Sequence, residues 1–374
     1  MNDNLYAIWL LINLGVNSKN YLPLCKAFNS FYEIYCAEEE KLKEIEGISK
    51  KCIEKLQDKN TDKAQEVLEY CLKNTIDITT FYGVKYPTVL KNISVPPIVL
   101  FSKGQLPDWE NEISVAVVGS RKPSVYGNTM AGKIAEDLAR EGVVVISGMA
   151  RGIDTSAHKG ALKGNGKTVA VLGCGVDVVY PPESTAIKGM IEEKGVVISE
   201  FLPGTPPLPN YFPIRNRIVS GLSAGVIVIE GKATSGSTIT ANLAKDQGKE
   251  VFCLPGNVDN PLSTASHKLI REGARLITCG ADVLVDLAIE NPEKFTETIY
   301  SENSMESKKE EALSKLTDDQ RAIAEALNPS KPMNVDEICY KTGIEIPVVN
   351  QCLFMLEIQK IVKQLPGKQY ILIV

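Results

Sequence analysis

Seven short apolar runs in the middle of the chain constrain its fold more than any other feature. They are VAVVGS (115–120), VVVISG (143–148), TVAVLG (168–173), VVISE (196–200), AGVIVIE (224–230), EVFCLPG (250–256) and ARLIT (274–278). They are rich in Val and Ile, continuous rather than alternating, and each ends near Gly, Ser, Glu or Pro. A strand that is apolar on both faces must be covered on both. Amphipathic stretches such as MAGKIAEDLAREG and ITANLAKDQGK lie between the runs and can do this. The order predicts an α/β fold, a doubly wound Rossmann-like sheet, mostly parallel, with crossover helices.

Ligands of such sheets sit beyond the carboxyl ends of the strands, so chemistry is expected in the loops that follow the runs. In GSRKPSVYG (119–127), Gly119 and Ser120 permit a tight turn and Arg121 projects from the strand end. A turn of this kind running into a helix is an anion-binding arrangement. It is not G-x-G-x-x-G, and GCGVD (173–177) lacks a third glycine, so a dinucleotide gains little support. SGMARGIDTSAHKGAL (147–162) sets Asp154 and His158 one helical turn apart, as a helix cap and a packed ring or as a general base. No nucleophile follows at matching spacing, which favours the cap. In EGKATSGSTITANLAK (230–245), Ser235, Gly236, Ser237 and Thr238 open a helix, as a capped end or a phosphate cradle. The loop lacks the G-K-[ST] of a P-loop.

YFPIRNRIVSGLS (211–223) places Arg215, Asn216 and Arg217 near the start of a helix. Cations are disfavoured there by the helix dipole unless something negative binds. The two arginines are about 200° apart on a helix of about 3.6 residues per turn. One of them can face a groove while the other ties down a loop or a partner. A Phe-Pro pair, Phe212 and Pro213, stands just before. Several anion-compatible loops on one sheet edge, with no convincing catalytic set, suit a polyanion held along a groove.

Composition adds limits. The net charge of −5 does not advertise a nucleic-acid binder, but it is uneven. Positions 113–280 carry about 18 Lys/Arg against about 14 Asp/Glu, roughly +4, which leaves roughly −9 elsewhere (−5 minus +4). Nine cysteines without a C-x-x-C pair, and two histidines, argue against a zinc site and a disulfide framework and fit a reducing cytoplasm. No apolar run approaches the roughly 20 residues of a membrane span. The opening MNDNLYAIWLLINLG is taken as a core helix rather than a signal peptide. No metal or cofactor is expected.

Residues 1–80 are expected to be helical, without a strong strand signal. LGVNSKNYLPLCKAF (14–28) and IEGISKKCIEKL (45–56) resemble paired helix-hairpin-helix or SAM-like modules, for packing or docking more than for DNA, since CAEEEKLKE between them is acidic. The core is assigned to 81–289, led in by the Pro-rich YPTVLKNISVPPIVLFSKG, a polar linker to 290–314 and a winged helix to 315–374. The third helix of that winged helix, 346–359, has no Lys or Arg, which favours a protein-interaction or regulatory role. The wing lysines Lys360, Lys363 and Lys368 keep DNA reading open.

Taken in order, GSR…YG, SGMARGID, AHKGAL, VLGCGVDVVYP, SE…G…P…FPIRNRIVSGLS, VIVIEG…SGSTITA and VFCLPG resemble the DNA-processing protein A (DprA, or Smf) family over residues of about 80–280. The resemblance implies a non-enzymatic single-stranded-DNA-binding protein that protects incoming strands in natural transformation. It also implies loading of the RecA recombinase and a homodimer formed through the Rossmann-like core. By motif, Arg121, Arg215 and Arg217 would line a phosphate pocket. Gly119, Ser120, Asn216 and the helix start Ser235, Gly236, Ser237 and Thr238 would assist, and Phe212 would either stack on a base or be a buried ring before the helix. There are two departures: PPEST stands where the family tends to have Asn, and STASHKLI puts Ala265 and His267 at the Gly and Asn places of S-x-G-x-N-x-L-I. The alternative is a Rossmann-like nucleotide-binding enzyme or sensor, phosphoribohydrolase-like, whose P-G-G-x-G-T-x-x-E pattern is missing after VIVIEG.

Overall fold

The seven Val/Ile runs become strands β3 (Ser114–Val118), β4 (Val144–Ser147), β5 (Thr168–Leu172), β6 (Val196–Ser199), β7 (Gly225–Val228), β8 (Glu250–Cys253) and β9 (Arg275–Leu276) in a computed structural model. The structure describes residues 3–290, 316–327, 333–358, 361–365 and 369–372. The chain divides into two compact units, 1–291 and 292–374.

The helices that follow β3 in the first unit are α7 (Val125–Arg140), α8 (Ile153–Lys163), α9 (Thr185–Lys194), α10 (Tyr211–Leu222), α11 (Gly236–Asp246), α12 (Thr264–Arg271) and, after the last strand, α13 (Gly280–Glu290). Six helices precede the sheet: α1 (Asp3–Leu14), α2 (Tyr21–Ala27), α3 (Phe31–Cys36), α4 (Glu39–Lys43), α5 (Lys50–Leu56) and α6 (Asp62–Lys73). Two further strands come before β3, β1 (Asp77–Thr80) and β2 (Val99–Gly104). The expectation of no strand before residue 80 is thereby corrected. DITT is four residues long and only its second half is buried, too short a piece for periodicity to reveal.

The sheet order is β1-β2-β6-β5-β4-β3-β7-β8-β9. Pairing is parallel from β6 through β9, and antiparallel for β1 with β2 and for β2 with β6. β3, β4, β5, β7 and β8 are buried almost throughout, which is why they carry unbroken apolar runs. Helix α7 packs on α8 and α13, and α8 on α9, while α10 packs on α11. The chain builds outward from β3 to β6, then returns to the other side of β3 with β7. That reversal opens a crevice at the carboxyl ends of β3 and β7, where open α/β sheets hold ligands.

The N-terminal helices are sewn to this sheet rather than set beside it. Trp9, Tyr21, Phe31 and Leu56 belong to the same continuous core as Phe101 and Val197. The Tyr82 hydroxyl donates to the carbonyls of Cys25 and Phe28, and Tyr70 reaches Asp177.

The second unit has helices Asp318–Ala326, Val335–Thr342 and Ile346–Ile358 and a three-stranded antiparallel sheet of Met333–Asn334, Gln369–Leu372 and Val362–Leu365. Capping boxes at Thr317/Gln320 and Asn334/Glu337 start the first two helices, as the S/T/N-x-x-E/Q spacing dictates. Ile323, Ile338, Leu353 and Leu356 form its own core. This is the winged helix expected from the sequence, and its third helix has no Lys or Arg. Residues 291–314 of the assigned linker, Lys360, Lys368 and the side chain of Lys363 lie outside the described residues.

Candidate nucleic-acid interface

A cavity of about 620 Å³ occupies the crevice beyond β3, β4 and β7. Four loops or helix starts wall it. Gly119, Ser120, Arg121 and Lys122 come from the loop after β3, and Gly148, Ala150 and Asp154 from the loop after β4. Lys232, Thr234, Ser235, Gly236 and Ser237 follow β7, and Phe212, Arg215 and Asn216 stand on α10. Arg121, Lys122, Arg215 and Lys232 set four cations against one carboxylate, Asp154. Arg121, Lys122 and Lys232 are exposed and form no ion pair among the described residues. The potential of the site is positive although the chain is acidic.

Arg215 has a different role from the exposed cations. It is 4% exposed, and its Nη1 donates to the Gly148 carbonyl at 2.6 Å and to the Val171 carbonyl. It ties α10 to the ends of β4 and β5 while presenting positive charge to the cavity. Burial lowers its pKa to about 10, opposed by nearby Asp154, so it stays charged at neutral pH. Gly148 is the residue that permits this approach, since a Cβ there would lie 2.3 Å from Arg215 Nη2.

Arg121 carries its guanidinium 4.9 Å from the ring centroid of Phe212, a half-buried ring that also meets Tyr180 at 5.4 Å. A cation and an aromatic face thus meet at the mouth of the cavity. The Ser120 hydroxyl accepts from the Lys122 N–H at 3.1 Å and shapes the turn that bears both cations.

The N-termini of α7 and α11 are used differently. At α7, Ser124 caps the Gly127 N–H at 3.0 Å. The Ser124 N–H and hydroxyl donate to Glu230 at 2.8 and 2.6 Å. The protein's own carboxylate therefore fills the place where the GSR turn was expected to receive an anion at a helix end. At α11 no side chain caps the backbone. Ser235 spends its hydroxyl on those of Ser237 and Thr238, at 2.7 and 3.3 Å. The first turn of α11 thus has no side-chain cap and can take an external anion.

Of the residues singled out from the sequence, Gly119, Ser120, Arg121, Phe212, Arg215, Asn216, Ser235, Gly236 and Ser237 are brought together here. Thr238 lies just behind the wall, donating to the Lys232 carbonyl at 3.3 Å. Arg217 is not brought in. It is 6% exposed and its Nη2 lies 2.6 Å from Glu200 Oε1. Lys122 and Lys232 were missed, although both stand in strand-end loops, Lys122 next to Arg121 and Lys232 shortly before Ser235.

Asp154 and His158 do not form an acid–base pair. Asp154 Oδ2 accepts from the Gly148 and Ala150 N–H groups at 3.1 and 3.2 Å, closing the loop after β4. His158 Nδ1 lies 2.7 Å from Thr168 Oγ1, and that hydroxyl donates to the Val145 carbonyl. Nδ1 must then carry the proton. Burial drives the ring's pKa down to about 3, so it is neutral. Ala265 and His267, the residues of the STASHKLI departure, serve internal bonds: the Ala265 N–H donates to the Gly231 carbonyl, and His267 Nε2 lies 2.9 Å from the Gly256 carbonyl. In the N-terminal hairpins the Ser49 N–H, a donor a phosphate would need, goes to Asn20 Oδ1 at 3.1 Å. Among the described residues no helix is long and apolar enough to cross a membrane, and no His/Cys/Asp/Glu group could hold a metal ion.

Comparison with known proteins places the chain in a family. The model of the family described as DNA recombination-mediator protein A matches residues 77–288, and that of the DprA winged helix domain matches residues 307–368. Over 201 residues the chain is 46% identical to the DNA processing protein DprA of Streptococcus pneumoniae, covering 54% of this chain and 71% of that one. The X-ray structure of the pneumococcal protein superposes with a TM-score of 0.65 at 35% identity, over 75% of this chain and 97% of that one. A structure of DNA processing protein A from Helicobacter pylori, described by its single-stranded DNA binding mode, has a TM-score of 0.52 at 27% identity, over 57% of this chain and 96% of that one. The chain belongs to the DNA recombination-mediator protein A family.

Proposed function

We propose that this protein binds single-stranded DNA along the crevice and holds it for recombination. One observation carries the reading: four cations against one carboxylate, with an aromatic ring at the mouth, in a groove too large for a single phosphate. Exposed Arg121, Lys122 and Lys232 suit a backbone that slides past. Phe212 suits a stacked base, since stacking tolerates any sequence. The single-stranded DNA named for the Helicobacter pylori relative supports the same ligand. Protection of incoming strands in transformation, loading of a RecA recombinase, a cytoplasmic setting and a homodimer through the core complete the proposal. Leu276 on edge strand β9 and Val285 on α13 offer exposed apolar surface to a second copy. We assign no reaction to the site, because Asp154, His158 and Glu230 are each committed to internal bonds.

The test is fluorescence anisotropy with single- and double-stranded oligonucleotides across a salt series, with and without RecA, alongside light scattering for the dimer. Arg121→Ala and Lys232→Ala are the informative variants, because both side chains are exposed and neither holds the fold together. Each is expected to weaken binding evenly across sequences and to reduce the salt slope by about 0.7. Salt-independent binding, or release of free base from nucleoside monophosphates, would overturn the reading.

A further inference from the structure

Arg217 and Glu200 form a buried ion pair whose energetics do not explain its presence. Glu200 is fully buried and Arg217 nearly so, joined by one contact of 2.6 Å. Glu200 Oε2 and Arg217 Nε and Nη1 have no hydrogen-bond partner among the described residues. Burying two charges with three polar atoms unspent costs stability, and an apolar pair of similar volume would hold the core at least as well.

The pair's location suggests what it adds. Glu200 follows β6 directly. Arg217 stands on α10, about 200° around from Arg215. Its main-chain carbonyl accepts from Gln247 Nε2 at 3.1 Å, beyond the end of α11. Tyr21 of α2 and Tyr86 of the lead-in to the core both feel the charges of Glu200 and Arg217. Their hydroxyls are held by the carbonyls of Gly15 and Pro97. One face of α10 therefore faces the cavity and the other is pinned at a junction of α2, the lead-in and β6.

We propose that Arg217 is a positioning residue for DNA binding. Its pairing with Glu200 sets the rotation of α10 about its own axis, and so places Phe212, Arg215 and Asn216 in the crevice. The inference rests on the reading of the crevice as a single-stranded DNA site. It replaces a phosphate contact by Arg217 with a contact made inside the protein.

The sign of one substitution separates the possibilities. Glu200→Gln removes a negative charge from a protein that binds a polyanion. If Arg217 touches phosphate, freeing it tightens binding. If the pair positions α10, binding weakens, by about tenfold. Anisotropy with an oligo-dT probe, titrated to stoichiometry so that affinity refers to folded protein, reads this directly. The double variant E200Q/R217M leaves no lone buried charge and serves as the control for folding. It is expected to keep its thermal midpoint within about 5 °C of the parent while binding stays about tenfold weaker. Equal or tighter binding by E200Q overturns the proposal, as does recovery of affinity together with stability in the double variant. Failure of the parent chain to bind the probe, by contrast, overturns the DNA reading itself.

Discussion

His158 sits with no exposed surface on α8, its one proton committed to Thr168. Its pKa falls from 6.5 to about 3 because burial, with Arg215 adding to it, disfavours the charged ring. Below pH 6.5 the unfolded chain takes up a proton that the native ring refuses. The stability it contributes is therefore present above pH 6.5 and lost progressively as pH falls toward 3. Between pH 7 and 5.5 that loss is about 1 kcal/mol. Asp154, whose carboxyl burial pushes up, acts in the opposite sense, so the comparison must be between the parent and His158→Gln. Urea unfolding at both pH values should show the parent losing more than the variant, and equal losses would refute this account. The histidine's role was only half legible in the sequence: the lack of a nucleophile favoured a packed ring, which it is, but the partner it uses, Thr168, lies on the next strand.

Helix α7 shows how an element can be placed by a single carboxylate. Its third residue is Gly127, where a Cβ would lie 2.3 Å from Glu230 Oε2. Alanine gains about 1 kcal/mol of helix propensity over glycine. Against that stand overpacking of about 1–3 kcal/mol and loss of charge-assisted bonds from Ser124, about 1.5–3 kcal/mol each. The losses dominate, so Gly127→Ala is expected to destabilise by about 2 kcal/mol in urea unfolding, and a stabilised variant would refute the claim. The strands were plain in the sequence because unbroken Val/Ile runs have few other uses. The site was plain only in part. GSR and FPIRNR announce cations, but which arginine faces the crevice depends on how α10 is rolled against β3, β4 and β5. Lys232 joins Arg121 only because β7 returns to pair with β3, a long-range pairing that no local pattern encodes.

At the scale of the whole molecule, the first unit is one cooperative body made of two kinds of sequence. The N-terminal part reads as a separate helical module, yet β1 gives the sheet its outermost strand and Trp9, Tyr21 and Phe31 share the core of the strands. The winged helix, by contrast, encloses a core of its own. Antiparallel pairing aligns Asp77–Thr80 with Val99–Ser102, and Val99, Leu100 and Phe101 are almost wholly buried. The sequence break at residue 80 is thus a poor place to cut. A chain begun at residue 81 would lay bare a strand edge and the apolar surface beside it, a template for sticking to its own kind. Such a fragment is expected to sediment as aggregates where the full chain does not. A well-behaved, dispersed fragment would show that the outer strand is dispensable. For anyone recombining parts of this protein, the seam that can be opened lies after the sheet, and the helices in front of it must travel with the strands they close.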